Sequence, residues 1–88
     1  MLLSIIIPCF NSEKTIIRAL NSIKGFEDFK DYFEIIIVND GSTDSTFELI
    51  DNFFKENNFD YLIKNQSNLG LSEARNNGLK IAKGKYIW

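Results

Sequence analysis

The stretch Ile35-Ile36-Ile37-Val38-Asn39-Asp40-Gly41-Ser42-Thr43-Asp44 decides the fold. Four consecutive β-branched residues predict a strand buried on both faces, which is the pattern of a parallel sheet. The run stops at an acidic residue and a glycine, and Ser42, Thr43 and Asp44 then offer side chains suited to starting a helix. Asp-Gly can also turn a hairpin. The residues beyond it have helical spacing and do not alternate, so a strand, a turn and a helix are expected. Asp40 would then sit at the carboxyl end of its strand, where open α/β sheets bind ligands.

Working outward, Met1-Leu2-Leu3 leads directly into a first aliphatic strand over residues 2–7, which Pro8 should end because it cannot donate to a ladder. Ser12 is placed to cap a helix whose stripe is Ile16, Ile17, Leu20 and Ile23, with Gly25 as its stop. Residues 26–33 lack a period and read as a connection. The second strand is expected over 34–39. A helix follows from Thr43 or Asp44, with Ser45 and Glu48 at capping-box spacing. Its inner face is expected to carry Phe47, Ile50 and Phe54, widened by Leu49 and Phe53. A short strand over 60–64, a polar loop over 65–70, a helix over 71–82 ended by Gly84, and a strand over 85–88 complete the chain. The order β-α-β-α-β-α-β predicts an α/β fold, a doubly wound and mainly parallel sheet with right-handed crossovers and strand order 3-2-1-4. Every strand carboxyl end then lies on one edge, which brings together Phe10-Asn11, Asp40 and the loop before Leu71.

Composition bounds the function. The 88 residues suffice for one small domain, with 44% apolar residues and eight phenylalanines for its core. A net charge of −2 argues against a nucleic-acid partner or an anionic membrane surface. Cys9 is the single cysteine and there is no histidine, so neither an internal disulfide nor a Cys/His zinc site is expected. Cys9 suits a small buried position at a strand end. No apolar run approaches the ~20 residues of a membrane span. A reducing, cytoplasmic setting fits, with the inner face of a membrane open to a longer parent. Asn65-Gln66-Ser67 matches a glycosylation sequon and is read as chance.

Several residues could carry chemistry. The turn Pro8-Cys9-Phe10-Asn11-Ser12-Glu13 has no GxGxxG and no Walker lysine, which removes most of the weight from a dinucleotide or ATP reading. Phe10 could instead stack on a nucleobase, or pack between strand and helix. Asp40 could accept a hydrogen bond from an imide N–H or a ribose hydroxyl, or cap the next helix. Three other cap candidates follow it, so it is read as spare and the ligand role is favoured. Asp44 suits a structural place at the first helical turn. Arg75 lies near the start of its helix, where a cation does not complement the helix dipole. It calls for a nucleobase carbonyl, a phosphate or a carboxylate such as Asp40. Gly78 inside a helical pattern points to close approach of helix and sheet, or to an early helix end.

Three segments in order make the sequence similar to a known family: residues 4–13, residues 34–44, and residues 68–78 running into Gly84-Lys85-Tyr86-Ile87. They resemble the N-terminal part of family 2 glycosyltransferases of the GT-A type, inverting enzymes that use nucleotide-sugars. The resemblance implies that Phe10, where many relatives have tyrosine, lies at the nucleobase. It implies that Asp40 reads the uracil edge and that Arg75 lies near base and phosphates. Pro8, Asn11, Glu13 and Asp44 are implied as lesser contacts or organisers. It also implies an Asp-x-Asp motif for a divalent metal, Mg or Mn, and a catalytic carboxylate. The chain reaches Trp88 before either, so residues 1–88 are read as the nucleotide-sugar-binding part of a truncated domain, inactive alone, with no catalytic and no metal residue of its own. The expected partner is a nucleotide-sugar, UDP-linked above all. The alternatives are a non-catalytic nucleotide-binding module and a protein-interaction module. Self-association through the C-terminal edge strand is expected as well.

Overall fold

The computed structural model describes residues 2–88, so Met1 and its expected part in the lead to the first strand lie outside the described residues. The chain runs β1 (Leu3–Cys9), α1 (Ile16–Lys24), a 3-10 turn (Glu27–Tyr32), β2 (Phe33–Asp40), α2 (Thr46–Glu56), β3 (Tyr61–Gln66), α3 (Leu71–Ile81) and β4 (Tyr86–Ile87). The strands lie in the order β3-β2-β1-β4, and each pairing is parallel. This is the doubly wound α/β sheet that the sequence predicts.

Every residue of β2 is buried, as its unbroken aliphatic run requires. Alternation divides the strands between two cores. Ile5, Cys9, Ile35 and Ile37 face α1 and α2, where they meet Leu20, Ile50, Phe53 and Phe54. Ile6, Ile36 and Val38 face the opposite way, against Ala74 of α3. Among the described residues the second core has only those four buried members, so α3 needs other attachments.

It has one at each end of β2. At the carboxyl end, Asp40 accepts the N–H groups of Leu69 and Gly70 at 2.8 and 2.9 Å. At the amino end, Glu34 accepts the Ser4 hydroxyl at 2.6 Å and the Lys83 N–H at 2.7 Å. Ser4 in turn accepts the Gly84 N–H at 2.7 Å. Between these two anchors Gly78 lies against the sheet, where an added Cβ would stand 2.7 Å from a methyl of Ile6. Close approach therefore explains Gly78, and the helix continues past it to Ile81.

Several expectations need correction. Pro8 lies inside β1 and does not end it. The Ile6 N–H bonds the Trp88 carbonyl. Pro8, two residues on, faces the same side, past the β1 residues that pair with Tyr86 and Ile87. The Ser12 side chain caps nothing. Its carbonyl accepts the Thr15 and Ile16 N–H groups while its hydroxyl turns back to the Phe10 carbonyl, and α1 begins only at Ile16. The strand expected over 60–64 runs over Tyr61–Gln66, taking in two residues of the expected loop. In α2 the inner face is Thr46, Ile50, Phe53 and Phe54, and Phe47 is exposed. Thr46 takes the inner place expected of Phe47, where its hydroxyl accepts the Ser12 N–H, and Ile50, Phe53 and Phe54 lie inside as expected.

Candidate functional site

Two loops at the carboxyl edge of the sheet are joined to each other in chain order. The loop after β1 begins with exposed Phe10 and turns at Asn11, whose φ of 47° is left-handed, a conformation asparagine tolerates better than most residues. Asn11 N–H donates to the Ser42 hydroxyl at 3.0 Å, and its side-chain oxygen accepts the Thr43 N–H at 2.8 Å. One residue on, the Ser12 N–H donates to the Thr46 hydroxyl at 2.7 Å. Glu13 N–H donates to Asp44 at 3.3 Å, and the Glu13 carboxylate accepts the Ser45 N–H at 3.1 Å. Asn11, Glu13 and Asp44 thus tie the two loops together, each side chain accepting a backbone N–H from the opposite loop. Phe10 is 40% exposed at the rim and so is not packed in the core between strand and helix.

Asp44 also accepts the N–H of Thr46, two residues ahead, the bond that starts α2. Burial pushes its carboxyl up, but the Thr46 hydroxyl and the N–H groups of Thr46 and Glu13 outweigh this and hold it below the usual carboxylate range. Its expected structural role is therefore present.

Asp40 differs from its expected state. It is 1% exposed and is not spare. Besides the Leu69 and Gly70 N–H groups, it accepts the Gln66 side-chain amide at 2.9 Å. The Leu69 N–H first, and then the Gln66 amide, hold its carboxyl below the ordinary range, with Gly70 adding to them against the opposing effect of burial. Asp40 ties the loop before α3 to the sheet. Gly41, at φ 76°, allows the neighbouring backbone to fit, since a Cβ there would come within 2.8 Å of the Asn68 nitrogen. Arg75 is exposed on the first turns of α3, and the one ion pair among the described residues, Lys55–Asp51, involves neither it nor Asp40. The salt bridge weighed for Arg75 and Asp40 is absent among the described residues. Pro8 is half-buried on the strand leading to Phe10.

The rim therefore holds an exposed flat ring beside two loops bonded to each other, and Arg75 is exposed on α3, the helix whose start Asp40 holds. Sequence reasoning missed Gln66 and Asn77. Gln66 falls in the expected loop, yet it ends β3 opposite Asp40 in the sheet register. Asn77 donates to Gln66 at 2.8 Å. The register of β3 against β2 was the only signal that could have found Gln66. Among the described residues no group of three or more Cys, Asp or Glu side chains could hold a metal ion.

Residues 4–88 match the family model described as Glycosyl transferase family 2. The chain belongs to that family. Among the glycosyltransferases it is similar to is Glycosyltransferase GlyG of Streptococcus pneumoniae serotype 4, 33% identical over 86 residues, with 98% of this chain and 28% of GlyG covered. The poly(ribitol-phosphate) beta-glucosyltransferase of Bacillus spizizenii is 40% identical over 88 residues, 99% of this chain and 14% of that one. The crystal structure of S. aureus TarS 1-349 in complex with UDP superposes with a TM-score of 0.87 at 34% identity, covering 99% of this chain and 26% of that one. Its complex with UDP-GlcNAc gives the same TM-score, 0.87. This family 2 chain thus spans about a quarter or less of the length of most of these relatives. No helix among its described residues is long and apolar enough to cross a membrane.

Proposed function

We propose that this chain is the donor-nucleotide-binding part of a glycosyltransferase that moves a sugar from a UDP-sugar to an acceptor hydroxyl with inversion. The observation that carries this reading is the meeting of Phe10, the Asp40 turn and the α3 start at one sheet edge, on a fold shared with an enzyme solved with UDP and UDP-GlcNAc. Phe10 stacks on the base, Arg75 meets the diphosphate or a base carbonyl, and Asp40 accepts the base imide. Pro8, Asn11, Glu13 and Asp44 hold the rim in shape. The metal and the catalytic carboxylate belong to the rest of a longer enzyme in a reducing, cytoplasmic setting, so residues 1–88 bind without transferring. Exposed Tyr86 and Trp88 on the β4 edge favour self-association, which sedimentation equilibrium over the micromolar range tests.

The test of function is an NMR titration with UDP. Shifts should centre on Phe10, Asp40, Leu69-Gly70 and Arg75, and Phe10→Ala or Arg75→Ala should weaken binding several-fold. Shifts confined to the opposite sheet edge, or UDP release from a UDP-sugar by the chain alone, refute the reading.

A further inference from the structure

Asp40 is supported by a chain of side-chain amides. Asn77 of α3 donates to the Gln66 oxygen at 2.8 Å, and the Gln66 nitrogen donates to Oδ1 of Asp40 at 2.9 Å. Leu69 N–H also donates to Oδ1, and Gly70 N–H donates to Oδ2. A carboxylate has about four acceptor positions. Oδ1 has its two filled, and Oδ2 has one filled. A ligand N–H therefore meets Oδ2 or nothing. Asp40 itself is 1% exposed, so a base would have to reach Oδ2 from the side of the Gly70 backbone, where a Cβ built on Gly70 would meet no atom within 4 Å.

The amide of Gln66 can take only one orientation here. Turning it over would set its oxygen against the Asp40 carboxylate and its NH2 against the NH2 of Asn77, two like-sign contacts. The Asp40 carboxylate therefore sets which way Gln66 faces, and Asn77 braces Gln66 from its other side. Both amides are half-buried, and among the described residues no buried side-chain nitrogen or oxygen is left without a partner. Asn77 is also two residues from Arg75, so one helical segment carries both the free cation and the support for the carboxylate.

We propose that Gln66 and Asn77 are positioning residues for base recognition: together they saturate Oδ1 of Asp40 and leave Oδ2 as the single acceptor offered to the imide N–H of a uracil or thymine base. The inference rests on the nucleotide-binding reading above. It assigns discrimination between imide-bearing bases and others to a pair of amides that do not touch the nucleotide.

The probe pair is UDP and its N3-methyl analogue, which lacks the imide hydrogen. The chain should bind UDP about tenfold or more tightly than the analogue, the worth of one hydrogen bond to a charged group. Gln66→Met and Asn77→Leu should bring that ratio to within about threefold by weakening UDP alone, the size expected when that bond is misaligned. Calorimetry measures the ratio, and amide NMR spectra verify the fold of each variant. Asn77→Leu leaves Gln66 in place and changes a half-buried helix position, so it decides the matter if Gln66→Met does not fold. Variants that keep the full ratio while losing stability overturn the positioning role and leave the nucleotide reading standing. A wild-type ratio near one removes base reading by Asp40 and the inference with it. No binding of UDP at all refutes the proposed function itself.

Discussion

Gly78→Ala should destabilise this protein, although in an exposed helix the same change stabilises. Helix propensity alone favours alanine over glycine by about 1 kcal/mol. The new Cβ, however, would stand 2.7 Å from Ile6 Cγ2 and 3.3 Å from Val38 Cγ2. Carbon pairs are comfortable at roughly 3.5–4.0 Å, so the first contact is about 1 Å too short. Ile6 Cγ2 is not the end of a flexible chain, because it branches at Cβ and its χ1 is restricted in a strand. Relief must come from lifting α3, which is held at both ends by Asp40 and Glu34. Overpacking of this kind costs about 2–3 kcal/mol. The net effect is a loss of about 1–2 kcal/mol, equivalent to roughly 5–15 °C in Tm for a domain of this size. Urea denaturation of the wild type, Gly78→Ala and the exposed control Asn76→Ala measures it. Ile6→Leu removes the offending methyl branch while conserving volume, so in the Gly78→Ala background it should recover part of the loss. If Gly78→Ala is as stable as Asn76→Ala, α3 does not lie on β1 and β2 as described.

Three further outcomes follow from the same geometry. Burial, aided by the charges of Asp44 and Asp40, pushes the Cys9 thiol up to about 11. About one thiol in a thousand is then ionised at pH 8, so a disulfide reagent should react far more slowly with folded than with urea-unfolded protein. The stability this thiol contributes is full below about pH 8.5 and is lost as pH rises towards 11. The lowered carboxyl of Asp40 has the opposite sign: its contribution is full above about pH 4 and disappears as pH falls through its folded value. Hydrogen exchange at Leu69 and Gly70 should accelerate in that acid range before exchange at Ile36 does, and simultaneous release would contradict the anchor. Glu34→Ala strips an acceptor from the Ser4 hydroxyl and the Lys83 N–H, each worth about 1–3 kcal/mol if left unsatisfied. A denaturation midpoint equal to that of the wild type would refute this anchor.

The strand order and the two-faced core were legible because they depend on aliphatic runs and on alternation of elements. Ile35 to Val38 could be read as a doubly covered strand without any partner in view. Polar side chains that face inward were not legible. Thr46 is fully buried, with Ser12 and Asp44 reaching it from two loops, and no local pattern announces that, so Phe47 was expected on a face where Thr46 stands, while Ile50, Phe53 and Phe54 lie inside as expected. Ser12 resembles a cap by type, yet its carbonyl does the work at a turn four residues before the helix. Asp40 lies at the sheet edge, as its place at the end of an aliphatic run requires. Its occupancy was not legible because its partners are backbone groups some 30 residues away and a glutamine whose facing depends on strand register.

The anchors of α3 are made to main-chain N–H groups at Leu69, Gly70, Lys83 and Gly84, not to those residues' side chains. Any residue with an N–H can serve at position 69 or 83, so the attachment of the helix places almost no demand on side-chain identity there. Proline alone is forbidden. The stretch next to the rim can therefore change its side chains, and with them what the rim contacts, while the helix stays seated on the sheet.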